Sequence, residues 1–230
     1  MINKQNQSTG GTVSDAGIAA VFAVPIYLKR QAVLDSDINS LRQLAVNHTQ
    51  KLSSVEYYGA MSKNSYLLNE PNCVELKNKI KNFVQEYAYC YLGFQGQFEI
   101  TQSWVSVKAP GQEHHPHSHA NSIVSGILYF DNDGDCEPIN FLRPGYNANL
   151  AHYTMTPIRN EINNEFTFTQ VSFSVENYML VLFPSYLMHF VNINKSNVNR
   201  YSMAFNAVPK YSLGNQEQLT ELNFSHLGKD

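Results

Sequence analysis

The stretch from Glu113 to Phe130, EHHPHSHANSIVSGILYF, decides how the rest of the chain is interpreted. Four of the eight histidines fall within six consecutive positions, and the stretch then becomes an apolar run that ends in an aromatic pair. Residues two apart in an extended chain project to one face, so His115, His117 and His119 can point inward together. Imidazole suits Fe, Zn, Cu or Ni better than Mg or Ca. The stretch indicates a transition-metal site, with a solvated His-rich turn as the alternative.

Composition limits the class of protein. The chain has 230 residues, of which 43% are hydrophobic, and this is enough for one well-packed domain. A net charge of -3 and 16 basic residues without a run indicate no nucleic-acid patch. No apolar stretch approaches the roughly 18 residues of a membrane-spanning helix, and the N-terminal segment lacks the apolar core of a secretory signal. We therefore expect a cytoplasmic protein with no membrane partner.

The three cysteines support the same location. Cys73, Cys90 and Cys136 are an odd number and show no Cys-x-x-Cys spacing. This usage is typical of a reducing compartment and argues against a disulfide framework or a zinc ribbon. The acidic residues that surround Cys136 argue against a nucleophilic role for its thiol.

The first hundred residues predict a tail and two helices. Residues 1–20 are polar with almost nothing to bury, so we expect a flexible N-terminal tail. Apolar residues at helical spacing predict one helix from Asp35 to about Ser54 and a second from Cys73 to Leu92. Gly93 stands where a helix of that length would have its C-terminal glycine.

The remainder of the chain has the pattern of short strands. FEITQSWVSVK alternates, and further strand-like runs bounded by Asn, Gly and Pro continue to about residue 209. The order of these patterns predicts a single domain over residues 21–210 that is mainly β with N-terminal helices (α+β), a jelly roll or related sandwich with a helical cover. Residues 211–230 are polar and predict a surface tail or short helix.

A second histidine feature lies about seventy residues after the first. In LVLFPSYLMHFVNI an apolar strand breaks at Pro184 and Ser185, and His189 then interrupts an apolar segment. A lone buried histidine is more often a hydrogen-bonded core residue than a ligand. Two ligands on one strand and a third on a distant strand, however, form an open site that leaves coordination positions free for substrate and O2.

The third feature is NRYSMAFNAVP, in which Arg200, Ser202, Ala204 and Asn206 share one face. An ordinary half-exposed strand would show the same alternation. The functional interpretation is that Arg200 and Ser202 line a pocket, where the guanidinium binds a carboxylate through two parallel hydrogen bonds and the hydroxyl assists.

Together these motifs resemble the 2-oxoglutarate and Fe(II)-dependent oxygenase superfamily, and most of all its phage and bacterial branch. His117-x-His119, NSIVSGILYF, LFPSYLMH up to His189 and Arg200-x-Ser202 occur in the family's order. The resemblance implies a double-stranded β-helix, which is a cupin-like jelly roll, with one Fe(II) at its open mouth. His117 and His189 would be ligands, and Arg200 would bind the distal carboxylate of 2-oxoglutarate with Ser202 beside it.

The same resemblance suggests further residues. Tyr129 and Trp104 are candidate walls of the cofactor pocket, and Asn121 and Ser125 are weaker candidates for hydrogen bonds to the site. Most of the superfamily has Asp or Glu at the position of His119. This histidine is either the third ligand or an outer residue that supports the site.

If His119 is an outer residue, a water or a carboxylate would complete the site. Glu113 and Asp131 are the nearby candidates. The other two histidines of the cluster, His114 and His115, are expected in a loop at the mouth of the site.

The implied reaction is hydroxylation of an unactivated C–H bond, with release of succinate and CO2. The partners would be O2 and a small-molecule or peptide substrate, and residues 143–165 are long and polar enough to form a substrate lid. A homodimer is the common default, and a phage-encoded enzyme would act in the host cytoplasm. One alternative is a cupin-type three-histidine metalloenzyme without 2-oxoglutarate. Another is a non-enzymatic jelly-roll binding or virion domain.

Overall fold

The computed structural model describes residues 23–51, 59–132, 136–144, 167–210 and 212–223. Its helices are α1 (Asp35–His48) and α2 (Val74–Cys90), with short 3-10 turns at Leu67–Asn69 and Pro71–Cys73. The strands are β1 (Tyr27–Lys29), β2 (Thr49–Lys51), β3 (Ala60–Ser62), β4 (Phe98–Lys108), β5 (His114–His117), β6 (Val124–Phe130), β7 (Ile139–Leu142), β8 (Gln170–Phe173), β9 (Leu180–Pro184), β10 (His189–Val191), β11 (Arg200–Pro209), β12 (Ser212–Leu213) and β13 (Leu222–Asn223).

The strands form two main sheets within the described part of the chain. The larger has the order β1-β9-β6-β11-β4-β3-β2, and the smaller has the order β5-β10-β7-β8. Neighbouring strands in both sheets run antiparallel. The facing surfaces pack into an apolar cluster that joins Ile127 and Phe183 of the large sheet to Phe141 of the small one. This arrangement confirms the predicted mainly β sandwich of the jelly-roll type.

The outer face of the large sheet is covered by the two helices. Ile38 and Leu41 of α1 and Ile80 and Val84 of α2 are completely buried against it. Their spacing places them on one side of each helix, which is why an otherwise polar helix packs on a sheet. Gly93, with a φ of 73°, follows α2 as predicted.

Strand β6 is buried on both faces, since it lies between the helix-covered core and the inter-sheet core. Its neighbour β11 comes very close at Gly126, where an added Cβ would lie 2.2 Å from Cζ of Phe205. Only glycine leaves room for that ring. The apolar run SGILYF therefore contains one position, Gly126, that has no side chain. The ladder keeps Tyr129 on the inner face, opposite Ser202.

One prediction about the elements is corrected. Helix α1 ends at His48 and does not reach Ser54, because Thr49–Lys51 pair with β3 as a strand. In the predicted surface tail or short helix after residue 210, β12 and β13 pair as a small, mostly exposed hairpin. The predicted N-terminal tail and nearly all of the predicted lid, residues 143–165, lie outside the described residues. Among the helices of the described ranges, none is long and apolar enough to span a membrane.

Candidate metal and co-substrate site

The three predicted histidine ligands meet between the two sheets. Strands β5 and β10 pair with His117 opposite His189, and His119 follows two residues after the end of β5. The backbone N–H of His119 donates to the carbonyl oxygen of Ser185 at 2.9 Å, which fixes the chain at that point. One ligand nitrogen from each histidine lies within 4.8 Å of the other two. This is a spacing from which three imidazoles can bind one ion.

Two of the rings are oriented by backbone carbonyls. Nδ1 of His117 lies 2.9 Å from the carbonyl oxygen of His115, and Nδ1 of His189 lies 3.2 Å from that of Leu187. A carbonyl can only accept, so Nδ1 carries the proton in both rings. Nε2 is then the unprotonated nitrogen that is free to bind a metal.

His119 is oriented by side chains instead. Its Nδ1 donates to Oδ1 of Asn206 at 2.6 Å and lies 3.0 Å from Oγ of Ser125. Ser125 also donates to Asn206 Oδ1 at 2.9 Å, and its hydroxyl is 2.8 Å from that of Ser185. Ser125, Ser185 and Asn206 are almost fully buried. A closed polar network therefore holds the third ring.

Electrostatics keep these rings neutral. Burial, followed by the repulsion of the neighbouring imidazoles, lowers the pKa of His189 to about 3. Burial likewise lowers the pKa of His117 to about 4 and shifts the pKa of His119 downward. Metal binding requires unprotonated imidazole, so a site of this kind releases few protons when an ion enters at neutral pH.

The two carboxylates considered as alternative ligands lie outside this cluster. Asp131 accepts hydrogen bonds from Arg42, at 2.8 Å from Nε and 2.7 Å from Nη2. Within the part of the chain that the structure describes, the cluster capable of holding a metal consists of the three histidines without Glu113 or any other carboxylate. The arrangement favours His119 as a ligand over its role as an outer residue.

The inner face of the large sheet forms the rest of the pocket. Trp104 and Ser106 come from β4, Tyr129 from β6, and Arg200 and Ser202 from β11. The structure therefore brings four of the predicted pocket residues, namely Trp104, Tyr129, Arg200 and Ser202, into one cavity with the three histidines. Its lining, in the described ranges, includes no acidic side chain.

Four buried polar atoms in this cavity make no hydrogen bond within the described structure. They are Nε1 of Trp104, Oγ of Ser106, the hydroxyl of Tyr129 and Nη2 of Arg200. Buried polar atoms are normally paired, and leaving one unpaired costs about 1 to 3 kcal/mol. Their concentration in one cavity indicates that a polar ligand pairs with them. All four can donate, and an anion with several oxygens would accept from them.

Arg200 is held in place by two contacts. Its Nε lies 3.1 Å from Sγ of Cys136, and its guanidinium carbon is 5.0 Å from the ring centre of Tyr129. Burial raises the pKa of Tyr129 to about 12, so its hydroxyl stays neutral and can donate. The guanidinium is thus oriented across the tyrosine ring, with Nη2 left for a ligand.

The structure agrees with some of the remaining sequence predictions and differs from others. Asn121 is exposed in a turn, with a φ of 55°, and does not line the cavity. Ser125 does contact the site, through His119. His114 lies in β5 and not in a loop, lines the cavity and stacks on His117 with 4.3 Å between ring centres. His115 is also in β5 and is exposed.

Three contributors were not predicted. Asn206 lies on the same strand face as Arg200, which was a usable signal, but its partner His119 is 87 residues away in sequence. Ser106 belongs to an alternating strand with nothing to mark it out. The acidic neighbours of Cys136 gave no indication of its contact with Arg200.

Comparison of the sequence with protein families gives one relevant match. Residues 102–206 match the family described as "Putative 2OG-Fe(II) oxygenase". The matched region runs from within β4 to Asn206 in β11, and it includes all three histidines and Arg200. The match confirms the resemblance seen in the motifs, while the phage and bacterial branch stays a prediction. No curated protein matches the sequence.

Solved structures show the same fold. The non-haem α-ketoglutarate-dependent epimerase SnoN of nogalamycin biosynthesis superposes with a TM-score of 0.61 at 10% identity, covering 84% of this chain and 79% of its own. HygX from Streptomyces hygroscopicus, solved with nickel and 2-oxoglutarate bound, has a TM-score of 0.56 at 11% identity, covering 82% and 84%. A prolyl-4-hydroxylase from Pseudomonas putida has a TM-score of 0.55 at 11% identity, covering 81% and 94%. These likenesses confirm the predicted jelly-roll fold.

The cavity fits the two groups that such a protein needs. Three neutral imidazoles suit Fe(II) and leave coordination positions open. The unpartnered Nη2 of Arg200 and hydroxyl of Tyr129 suit a carboxylate in the same cavity. Because no acidic side chain lines the described cavity, a dianion such as 2-oxoglutarate would meet no like charge there.

Proposed function

We propose that this chain, a member of the 2-oxoglutarate and Fe(II)-dependent oxygenase superfamily through residues 102–206, hydroxylates an unactivated C–H bond of a small-molecule or peptide substrate. One observation carries the proposal. The three-histidine cluster shares a cavity with Arg200, whose buried Nη2 has no hydrogen-bond partner among the described residues. 2-Oxoglutarate requires a metal that binds its oxo acid group at one end and a guanidinium that binds its carboxylate at the other.

The chemistry is divided between the bound groups and the chain. When bound, Fe(II) and 2-oxoglutarate supply the oxidation, in which O2 is consumed, succinate and CO2 leave, and one oxygen atom enters the substrate. We assign metal binding to Nε2 of His117, His119 and His189, whose Nδ1 atoms are already hydrogen-bonded. The chain thereby fixes the direction of each ligand before any ion arrives.

Arg200 and Ser202 are assigned to the distal carboxylate of 2-oxoglutarate. Both are buried at the end of the cavity that β11 provides. A guanidinium in a buried pocket binds a carboxylate more strongly than it would in water, because little solvent competes. Tyr129 holds the guanidinium over its ring, and Trp104 lies beside His119 with 5.6 Å between ring centres. These two aromatic residues exclude water from the co-substrate.

The test is formation of succinate from 2-oxoglutarate by protein reconstituted with Fe(II) without oxygen and then exposed to O2. Members of this superfamily turn over slowly without substrate, so wild-type protein should form succinate before its substrate is known. His189→Ala and Arg200→Ala should each lose at least about 100-fold of that rate, since each removes a charged or metal contact made in a buried site. Arg30→Ala is the matched control, because Arg30 is exposed and, within the described residues, pairs with Glu176 at 3.6 Å.

The three-histidine set also permits a cupin-type enzyme that does not use 2-oxoglutarate. That alternative gives Arg200 no ligand. It would be favoured if wild-type protein bound Fe(II) but formed no succinate, and if 2-oxoglutarate left the absorption spectrum of the bound metal unchanged. A cytoplasmic location and a homodimer are further proposals, which rest on the cysteine usage and on the frequency of two-fold symmetry.

A further inference from the structure

The groups that line the cavity leave one positive charge uncompensated when both proposed ligands are bound. Histidine binds a metal as neutral imidazole, so His117, His119 and His189 do not balance the two charges of Fe(II). Arg200 adds a third positive charge, and the lining of the described cavity has no acidic side chain. 2-Oxoglutarate, which is a dianion, neutralises two of the three charges. One positive charge remains in the cavity.

An uncompensated charge is costly at this position because little water reaches it. His189 and Arg200 are 3% and 5% exposed, so both the metal end, which carries the three histidines, and the anchor end, which carries Arg200 and Ser202, are buried. A carboxylate in the ligand set would balance the charge from within the protein. The cluster of described residues contains none, so the negative charge has to arrive with another ligand.

Trp104 offers a hydrogen-bond donor to such a ligand. Its indole lines the cavity, with 5.6 Å between its ring centre and that of His119. Nε1 is buried and has no partner in the described structure, although the residue as a whole is partly exposed. A buried tryptophan N–H normally finds a partner. The donor of Trp104 is therefore available to a ligand beside His119.

The strand register separates this donor from the anchor end and leaves space beside it. In the ladder between β11 and β4, Trp104 lies opposite Ala204, and Ser106 lies opposite Ser202. A strand rises roughly 3.3 Å per residue, so Trp104 is about 7 Å from the level of Ser202. Ala204 is the smallest side chain of the lining. A small group can therefore lie against the indole without reaching the anchor end.

We propose that the primary substrate is a monoanion, such as a carboxylate, whose charged oxygen accepts a hydrogen bond from Nε1 of Trp104 beside His119. This inference rests on the proposed function and names a class of substrate for it. The negative charge neutralises the site, and the hydrogen bond holds the substrate close to the metal. Trp104 is then a residue that determines specificity, because it distinguishes a carboxylate from the corresponding neutral amide.

The test uses the fact that Trp104 is the one tryptophan of the chain. Its indole N–H gives a single resonance in the proton–nitrogen NMR spectrum, and this resonance moves downfield when the N–H donates a hydrogen bond. Protein loaded with Zn(II) and saturated with 2-oxoglutarate is titrated, in chloride-free buffer, with acetate and with acetamide, which has the same shape but no charge. Acetate should move the resonance downfield and bind at least about 10-fold more tightly than acetamide.

Two variants and one control give the affinities by calorimetry, after the Zn(II) content of each has been measured. Trp104→Phe should raise Kd for acetate about 10-fold and leave Kd for 2-oxoglutarate within about 3-fold of the wild-type value. His119→Asp adds a negative ligand, so its preference for acetate over acetamide should fall below about 2-fold. Ser103→Ala should behave as wild type, because Ser103 lies on the other face of β4, where its Oγ accepts from the N–H of Leu68 at 2.9 Å.

The outcomes separate this proposal from the proposed function. Equal affinities for acetate and acetamide, in wild-type protein that binds 2-oxoglutarate, would overturn the proposal and leave the proposed function intact. A downfield move caused by 2-oxoglutarate alone, with none on adding acetate, would also overturn it, because the N–H would then serve the co-substrate. Chloride that binds as tightly as acetate would overturn the substrate class, since a free ion would supply the charge. Zn(II)-loaded protein that does not bind 2-oxoglutarate would contradict both.

Discussion

The two ends of the cavity differ in how far the protein satisfies its own polar atoms. At the metal end, Nδ1 of each of the three histidines has a partner within the protein. At the anchor end, Arg200, Tyr129 and Ser106 each keep a buried polar atom that has no partner in the described structure. The metal end is complete apart from its ion, whereas the anchor end is completed only by a ligand.

This difference indicates how each end of the cavity positions the groups that bind its ligand. Histidines whose outer nitrogens are already paired cannot rotate freely, so the metal end is preorganised by residues that never touch the ion. The anchor end carries the cost of unpaired donors in the free protein and recovers it when a carboxylate binds. Metal affinity should therefore respond to changes behind the histidines, and co-substrate affinity to changes among the donors that contact it.

The largest expected effect is the loss of a ligand at the metal end. His119→Ala should weaken Co(II) binding at least about 100-fold, because removing only a supporting hydrogen bond already costs about 10- to 100-fold. Titration followed by the visible absorption of bound Co(II) gives the affinity. If His119→Ala bound Co(II) as tightly as wild type, His119 would not be a ligand and the three-histidine site would be wrong.

The second prediction tests whether Asn206, which does not contact the metal, supports metal binding through its hydrogen bond to His119. Asn206→Ala should weaken Co(II) binding about 10- to 100-fold, since it removes the 2.6 Å partner of His119 Nδ1. Asn206→Asp should bind at least as tightly as wild type, because a carboxylate accepts the same hydrogen bond and makes the imidazole a better donor to the ion.

Asn194→Ala is the matched control for this prediction. Asn194 is as buried as Asn206, but its amide donates to the backbone oxygens of Lys108 and Val198. This variant should lower the melting temperature while leaving Co(II) affinity near the wild-type value. A similar loss of metal affinity in both variants would mean that Asn206 acts through general stability.

The metal end could be predicted from the sequence to a greater extent than the anchor end. His117 and His119 share a strand face, and His189 interrupts an apolar strand, so local patterns were enough to nominate them. Ser106 could not be nominated, because FEITQSWVSVK alternates as any half-buried strand does. Only the register of β4 against β11, which is a long-range property, places Ser106 opposite Ser202.

One prediction failed where pairing between distant segments overrode local preference. The helical pattern after Asp35 continues beyond His48, yet Thr49–Lys51 join the large sheet. The prediction for Asn121, which came from the resemblance, failed for a local reason: the chain turns there with a positive φ, which asparagine adopts more readily than most residues, and the side chain is exposed. Pairing in the sheet decided the first case, and it is not encoded in the neighbouring residues.

A smaller effect is expected on the pH dependence of the stability of the metal-free protein. His189 has a pKa of about 3 when folded, against 6.5 for an ordinary histidine, so below pH 6.5 the unfolded chain binds more protons than the folded one. Its contribution to stability is complete above pH 6.5 and is lost as the pH falls toward 3. For this residue, the free energy of unfolding should fall by up to about 1.4 kcal/mol per pH unit.

Denaturant unfolding of metal-free protein between pH 7 and pH 4 measures this slope. His189→Phe is the comparison variant, because Phe183 and Phe141 already surround the ring, with centres 4.6 and 6.1 Å away. Its stability should fall less steeply with acid than that of wild type. Parallel slopes would mean that His189 is not buried as a neutral group.

The smallest effect tests the anchor end through Cys136. Cys136→Ala removes the acceptor that lies 3.1 Å from Nε of Arg200, and it should raise Kd for 2-oxoglutarate about 2- to 10-fold, the range of a single modest hydrogen bond. Calorimetry on the Co(II)-loaded protein gives this value. Cys136→Ser keeps an acceptor at that position and should bind nearly as wild type does.

The Cys136→Ala variant also tests whether the metal end and the anchor end bind their ligands independently. Cys136 touches Arg200 and none of the three histidines, so Co(II) affinity should be the same in Cys136→Ala as in wild type. Reduced affinity for both Co(II) and 2-oxoglutarate would show that the two ends are coupled through the loop that carries Cys136. Reduced affinity for 2-oxoglutarate alone would show that the metal end is complete without the anchor, because the Nδ1 atoms of its three histidines have their own partners in His115, Asn206 and Leu187.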